Sequence, residues 1–111
     1  MKVVKKGWGE ELWIVNLKYC GKILTLKKGK KCSIHFHNEK DETFYVLSGK
    51  INLELFNKYA ILKKSIVLNK DDIYRIKPGV IHRFTGIEDS KIFEVSTTHK
   101  ESDTYRLVKG D

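Results

Sequence analysis

The sequence predicts an all-β domain of short antiparallel strands, a sandwich or a barrel. Three observations predict it. Apolar and polar residues alternate with period two along most of the chain, β-branched and aromatic residues fill these runs, and no segment keeps a helical period for three turns. Leu12–Asn16 and Tyr19–Leu26 are the first two strands expected, and Ser33–His37 follows, alternating Ile and Phe with His. Thr43–Ser48 and Lys50–Phe56 alternate on either side of Gly49, and Ser48-Gly49-Lys50 reads as a tight hairpin. Asn57-Lys58-Tyr59 turns the chain toward Ser65–Leu68, and Asn69-Lys70-Asp71-Asp72 turns it toward Ile73–Ile76, both by their Asn, Asp and Lys content. His82–Thr85 follows Lys77-Pro78-Gly79, and Lys91–Thr97 ends the regular pattern. Lys100 to Asp111 is polar and reads either as a short last strand or as a loose arm. Connections this short exclude a parallel α/β sheet, which needs crossover helices.

The chain has 111 residues and 41% hydrophobic content, enough for one domain spanning 1–111 and one core. That excludes a second catalytic domain. Lys+Arg number 22 and Asp+Glu 14, a formal charge of +8, yet only Arg75, Arg83 and Arg106 are arginines. The other cations are lysines in scattered pairs, such as Lys27-Lys28 and Lys63-Lys64, with no basic recognition helix or aromatic RNA-binding signature. A solvated lysine surface is expected, nucleic acid is not a partner, and anionic small molecules such as sugar phosphates are compatible. Cys20 and Cys32 are too few for a disulfide framework and are expected to be reduced. No apolar run forms a signal peptide or approaches the roughly 20 residues of a membrane span, so a cytoplasmic, non-membrane protein is expected.

The chemistry is concentrated in histidines. His35 and His37 are spaced i, i+2, so on a strand both project from one face, about 7 Å apart along the backbone. Glu42 follows a polar connection long enough to turn the chain and return a carboxylate. His82 heads another strand, 40 residues later. Imidazoles with one carboxylate suit a divalent transition metal: Fe, Mn, Ni, Cu or Zn.

Gly29, His35, His37, Glu42 and Gly49 have the spacing of the first cupin motif, and the chain resembles the cupin superfamily. Its second motif is matched at Gly79 and His82, with Lys77, Asp71 and Gly86 where Pro, Gly and Asn are usual. The resemblance implies an antiparallel jelly-roll (cupin) barrel of six to eight strands, with one metal held inside by His35, His37, Glu42 and His82. A weaker similarity, in Gly7-Trp8-Gly9-Glu10-Glu11, Tyr19-Cys20-Gly21-Lys22 and Glu94-Val95-Ser96-Thr97 with His99, Asp103 and Arg106, is to type II phosphomannose isomerases and the small cupins of nucleotide-sugar pathways.

The expected function is therefore a metal-dependent sugar or sugar-phosphate isomerase, the metal acting as Lewis acid and Glu94 as base if its strand face points inward. A cupin-type oxygenase and a non-enzymatic sugar- or anion-sensing module are the alternatives. Phe44 and Phe84 share parity with Glu42 and His82 and are expected to wall the pocket. Ser96 shares the Glu94 face, and His99 with Arg106 could clamp a substrate anion. Cys32 falls on the face opposite His35 and is expected to be a small core residue. Apolar strands that a small barrel leaves uncovered, including Trp8–Val15, point to a homodimer.

Overall fold

The computed structural model describes residues 1–111. It holds eleven strands: β1 (Lys2–Lys6), β2 (Gly9–Asn16), β3 (Tyr19–Leu26), β4 (Ile34–His37), β5 (Glu42–Ser48), β6 (Lys50–Phe56), β7 (Leu62–Asn69), β8 (Ile73–Ile76), β9 (Ile81–Gly86), β10 (Ser90–Thr97) and β11 (Thr104–Val108). A single 3₁₀ turn, Glu101–Asp103, precedes β11. No helix is long and apolar enough to cross a membrane.

The strands form two antiparallel sheets, one ordered β1-β2-β3-β10-β5-β8 and the other β11-β4-β9-β6-β7. The all-β jelly roll is as the sequence predicts, with more strands than the six to eight expected and with open sheet edges, so the form is a sandwich. β1 was not anticipated, because Lys2-Val3-Val4-Lys5-Lys6 lacks alternation and is largely exposed at a sheet edge. The polar tail resolves as a strand: β11 pairs with β4 through Thr104 opposite His37 and Arg106 opposite His35.

Inward residues of both sheets make the core, with Leu24, Leu26, Phe44, Val46, Ile51, Leu53 and Ile92 all buried. Cys32 joins them as expected, its Sγ accepting the Phe84 amide at 3.3 Å. Trp8 packs edge-on against Phe84, with ring centroids 5.5 Å apart. The two predicted turns are closed by their own side chains. Asn57 Oδ1 accepts the amides of Tyr59 and Ile61, and Asp72 Oδ2 accepts that of Asn69.

Two glycines carry special demands. Gly49 turns the β5–β6 hairpin at φ +84°, in the left-handed region glycine favours. Gly86 stands where the second cupin motif usually has Asn, and a Cβ there would meet the Lys27 carbonyl oxygen at 2.7 Å. The chain running from β3 to β4 lies directly on it, since Gly29 N donates to Gly86 O and Gly86 N donates to Lys30 O.

Candidate metal centre

The two sheets contribute different chemistry to the space between them. β4 presents His35 and His37 inward, and the β4–β9 pairing sets His35 opposite His82. This is the meeting that spacing alone could not give. Their metal-binding ring nitrogens lie within 4.8 Å of one another, a group able to hold a metal ion. From the facing sheet, Glu42 heads β5 and brings its Oε2 to 3.2 Å from His37 Nε2.

Hydrogen bonds fix how each imidazole presents itself. His35 Nδ1 donates to the Ser33 carbonyl at 2.9 Å, His82 Nδ1 to the Val80 carbonyl at 2.9 Å, and His37 Nδ1 to the Asp103 carbonyl at 3.2 Å. A carbonyl oxygen only accepts, so each Nδ1 carries the proton and each Nε2 turns a lone pair toward the centre. His82 Nε2 and Glu42 Oε2 are both buried without a hydrogen-bond partner. Two such atoms, with the lone pair of His37 Nε2 facing the Glu42 carboxylate, call for a shared cation, because leaving them unpaired is expensive. The donor set thus fits a divalent transition metal.

Burial lowers the basicity of His35, helped by the nearby His82, and burial likewise lowers that of His82. Burial alone would raise the Glu42 carboxyl, but His37, whenever its Nε2 is protonated, and the Lys40 ammonium hold it well below the usual carboxylate range. All three groups are therefore held in the states that ligate metal.

Beside this cluster lies a cavity of about 310 Å³ whose lining includes Phe44, Phe84, Glu94, His99 and Arg106. Glu94 is buried, as the inward placement of its face requires. Cross-strand register sets Lys22, Glu94 and Phe44 side by side in one row, and Cys20, Ser96 and Glu42 in the next. Glu94 Oε2 is 2.6 Å from Lys40 Nζ and accepts the Ser96 hydroxyl at 3.2 Å. Burial and the Glu42 charge raise the Glu94 carboxyl, against the opposing pull of Lys40 and Lys22. Ser96 reaches the site only through Glu94 and is not itself part of the cavity wall.

His99 Nδ1 accepts from Lys40 Nζ at 3.0 Å, and burial with the Lys40 and Lys22 charges pushes the imidazole down to about 4. It is neutral near pH 7. Arg106 borders the cavity from β11, in register with His35, and its guanidinium is engaged by Glu101. Phe44 and Phe84 are both walls and core, packed edge-on with centroids 5.8 Å apart.

Three contributors went unread in the sequence. Lys22 is 1% exposed, its ammonium 3.4 Å from Glu11 Oε1 and 4.1 Å from the centre of the Trp13 ring. Its signal was present: Lys22 shares strand parity with Cys20, Leu24 and Leu26, a lysine in an apolar row. Glu11, one of an acidic pair, also turns inward and accepts Trp13 Nε1 at 2.8 Å. Lys40 had no periodic signal, since it sits in the connection between β4 and β5. That connection is organised by Asp103, whose carboxylate oxygens accept the amides of Asn38, Glu39 and Lys40.

Residues 22–99 match the family described as Cupin domain. No curated protein matches the chain. Among solved structures, KdgF from Halomonas sp. superposes with a TM-score of 0.72 at 16% identity, covering 84% of this chain and 81% of that one. The capsular polysaccharide assembling protein CapF from Staphylococcus aureus gives a TM-score of 0.79 at 18% identity over 96% of this chain, which spans 34% of the CapF chain. Ectoine synthase from P. lautus gives 0.77 at 13% identity, covering 96% of this chain and 81% of that one. At these identities the likeness is one of fold.

Proposed function

The chain belongs to the cupin domain family, and from that premise we propose that it is a metal-dependent enzyme acting on an open-chain sugar or sugar phosphate, an isomerase similar to phosphomannose isomerases. One observation carries the reading: three imidazoles locked by their Nδ1 hydrogen bonds, with an orphaned Glu42 oxygen and an orphaned His82 nitrogen, border a cavity that also contains a buried carboxylate. His35, His37, His82 and Glu42 would hold the metal. When bound, a divalent transition ion supplies Lewis acidity toward a carbonyl and its neighbouring hydroxyl.

The chain's own residues do the rest. Glu94 faces the cavity with its proton affinity raised, as a base must be to take a proton from carbon beside a carbonyl. Lys40 and the Ser96 hydroxyl fix its orientation, and Lys40 offsets the charge that Glu94 carries before it accepts the proton. Phe44 and Phe84 exclude water from that side of the cavity. A carbohydrate ligand is also in keeping with the fold shared with a capsular polysaccharide assembling protein. The proposal includes a cytoplasmic homodimer, formed near the edge strand β1 and the Trp8–Val15 segment.

The test is solvent deuterium exchange into C2 across a panel of aldoses and aldose phosphates, with elemental analysis of the same samples. Exchange that disappears in Glu94→Gln while metal content is kept supports the assignment. Retained exchange in Glu94→Gln removes Glu94 as base, and protein that takes up no transition metal on reconstitution removes the enzyme reading. Substrate-dependent oxygen uptake in place of exchange assigns an oxygenase.

A further inference from the structure

A second concavity, of about 800 Å³, is bordered by β8, by the Lys63–Lys64 start of β7 and by residues of β4, β6, β9 and β11, and it shares no lining residue with the metal cavity. Its floor is apolar, with Leu55, Tyr74 and Val80 packed onto the core. Its rim is cationic: Lys58, Lys63, Lys64 and Lys77 border it, none of them ion-paired, and no carboxylate lines it. The fifth cation, Arg75, is already held by Asp41 through two hydrogen bonds. Exposed apolar side chains continue the surface beyond the rim, at Ile61, Leu62 and Ile73.

We propose that this groove docks an extended acidic segment of a partner protein, with an apolar side chain on the floor and carboxylates on the lysine rim. The charge selects the partner. Edge lysines commonly prevent strands of neighbouring copies from pairing, and two copies meeting at this face would set lysine against lysine. The same lysines admit a strand that carries carboxylates. β7 and β8 are the terminal strands of their sheets, so each offers an unpaired backbone edge, the geometry by which an extended peptide joins a sheet. The lysines come from three separate segments, the β6–β7 turn, the start of β7 and the exit of β8, which suits a ligand lying along the groove better than one compact anion.

The test uses fluorescence anisotropy with a labelled, end-capped peptide of roughly twelve residues alternating Glu and Leu, long enough to lie along a strand edge. Controls replace Glu by Lys or Leu by Ser. The full chain should bind the Glu–Leu peptide, lose roughly tenfold or more in affinity when salt rises well above physiological strength, and ignore both controls. Lys63→Glu/Lys64→Glu should lose the acidic peptide and gain the Lys–Leu one, with metal content and thermal midpoint unchanged. Lys58→Glu/Lys77→Glu, on the other two segments, should behave alike. Failure to bind the acidic peptide overturns the proposal, as does equal binding of the Ser control or indifference to either double substitution. Preference for single-stranded RNA or for vesicles of anionic lipid through the same lysines also overturns it. So does concentration-dependent self-association abolished by those substitutions.

Discussion

Asp103 holds His37 and the approach to Glu42 at once: its backbone carbonyl accepts His37 Nδ1 at 3.2 Å while its carboxylate accepts the amides that shape the β4–β5 connection. One residue thereby sets both the tautomer of one proposed ligand and the return path of another. Burial works against the Asp103 carboxylate, and the three amides outweigh it, keeping the carboxyl below its usual range.

Asp103→Asn keeps the backbone carbonyl that accepts from His37 and disturbs only the β4–β5 connection leading to Glu42, so metal binding is expected to weaken by no more than about 10-fold, the low end for groups supporting a metal ligand. It should also destabilise the fold by about 1–3 kcal/mol through amides left with poorer acceptors. Competitive chelator titration and urea unfolding read the two effects separately.

Stripping the metal should lower the thermal midpoint, and readdition should restore it in proportion to ion concentration, because an ion bound only to the folded state stabilises by mass action. His82→Ala should abolish that metal-dependent shift. A shift that survives in His82→Ala would place the ion elsewhere.

Lys40 and Glu94 form a buried pair 2.6 Å apart, and removing one partner strands the other. Lys40→Met is expected to cost about 3–5 kcal/mol, with Lys40→Met/Glu94→Leu recovering much of it. Equal destabilisation in the single and double variants, by urea unfolding, would contradict the pairing.

His99 sets a pH dependence. Its folded value, near 4, lies below the unfolded 6.5, so the unfolded chain binds more protons between those values. Stability from His99 is fully present above about pH 6.5 and is lost as pH falls toward 4. His99→Gln should flatten that part of the stability profile, as measured by denaturant midpoints of the metal-free protein. An unchanged slope would mean that His99 titrates alike in both states.

Gly86→Asn restores the residue usual in the second cupin motif and is nonetheless expected to destabilise this chain by about 1–3 kcal/mol, since its Cβ would press on the Lys27 carbonyl. Thermal unfolding tests it, and a neutral result would show that the β3–β4 connection gives way.

Much of the site was legible because strand parity is a local property. His35, His37 and Glu42 follow from period-two counting and one turn, and the inward face of Glu94 follows once Ile92 is placed in the core. His82 was different, since only the pairing of β4 with β9 brings it to His35, and register between strands far apart in sequence is set by the whole core. Lys22 was hidden by its chemistry: its parity is that of a core residue, and only burial beside Glu11 and Trp13 shows that the charge is tolerated there. β1 and β11 lie at sheet edges, where alternation is weak because one face meets little protein.

The hydrogen bond from His37 to Asp103 joins residues 66 positions apart in the chain. During synthesis, His35, His37 and Glu42 emerge from the ribosome well before the segment that fixes the proton on His37. The proposed metal site therefore reaches its final geometry only once the Glu101–Asp103 turn has folded against β4. A chain truncated before Asp103 would exchange an added metal freely, whereas one that includes Asp103 would retain it.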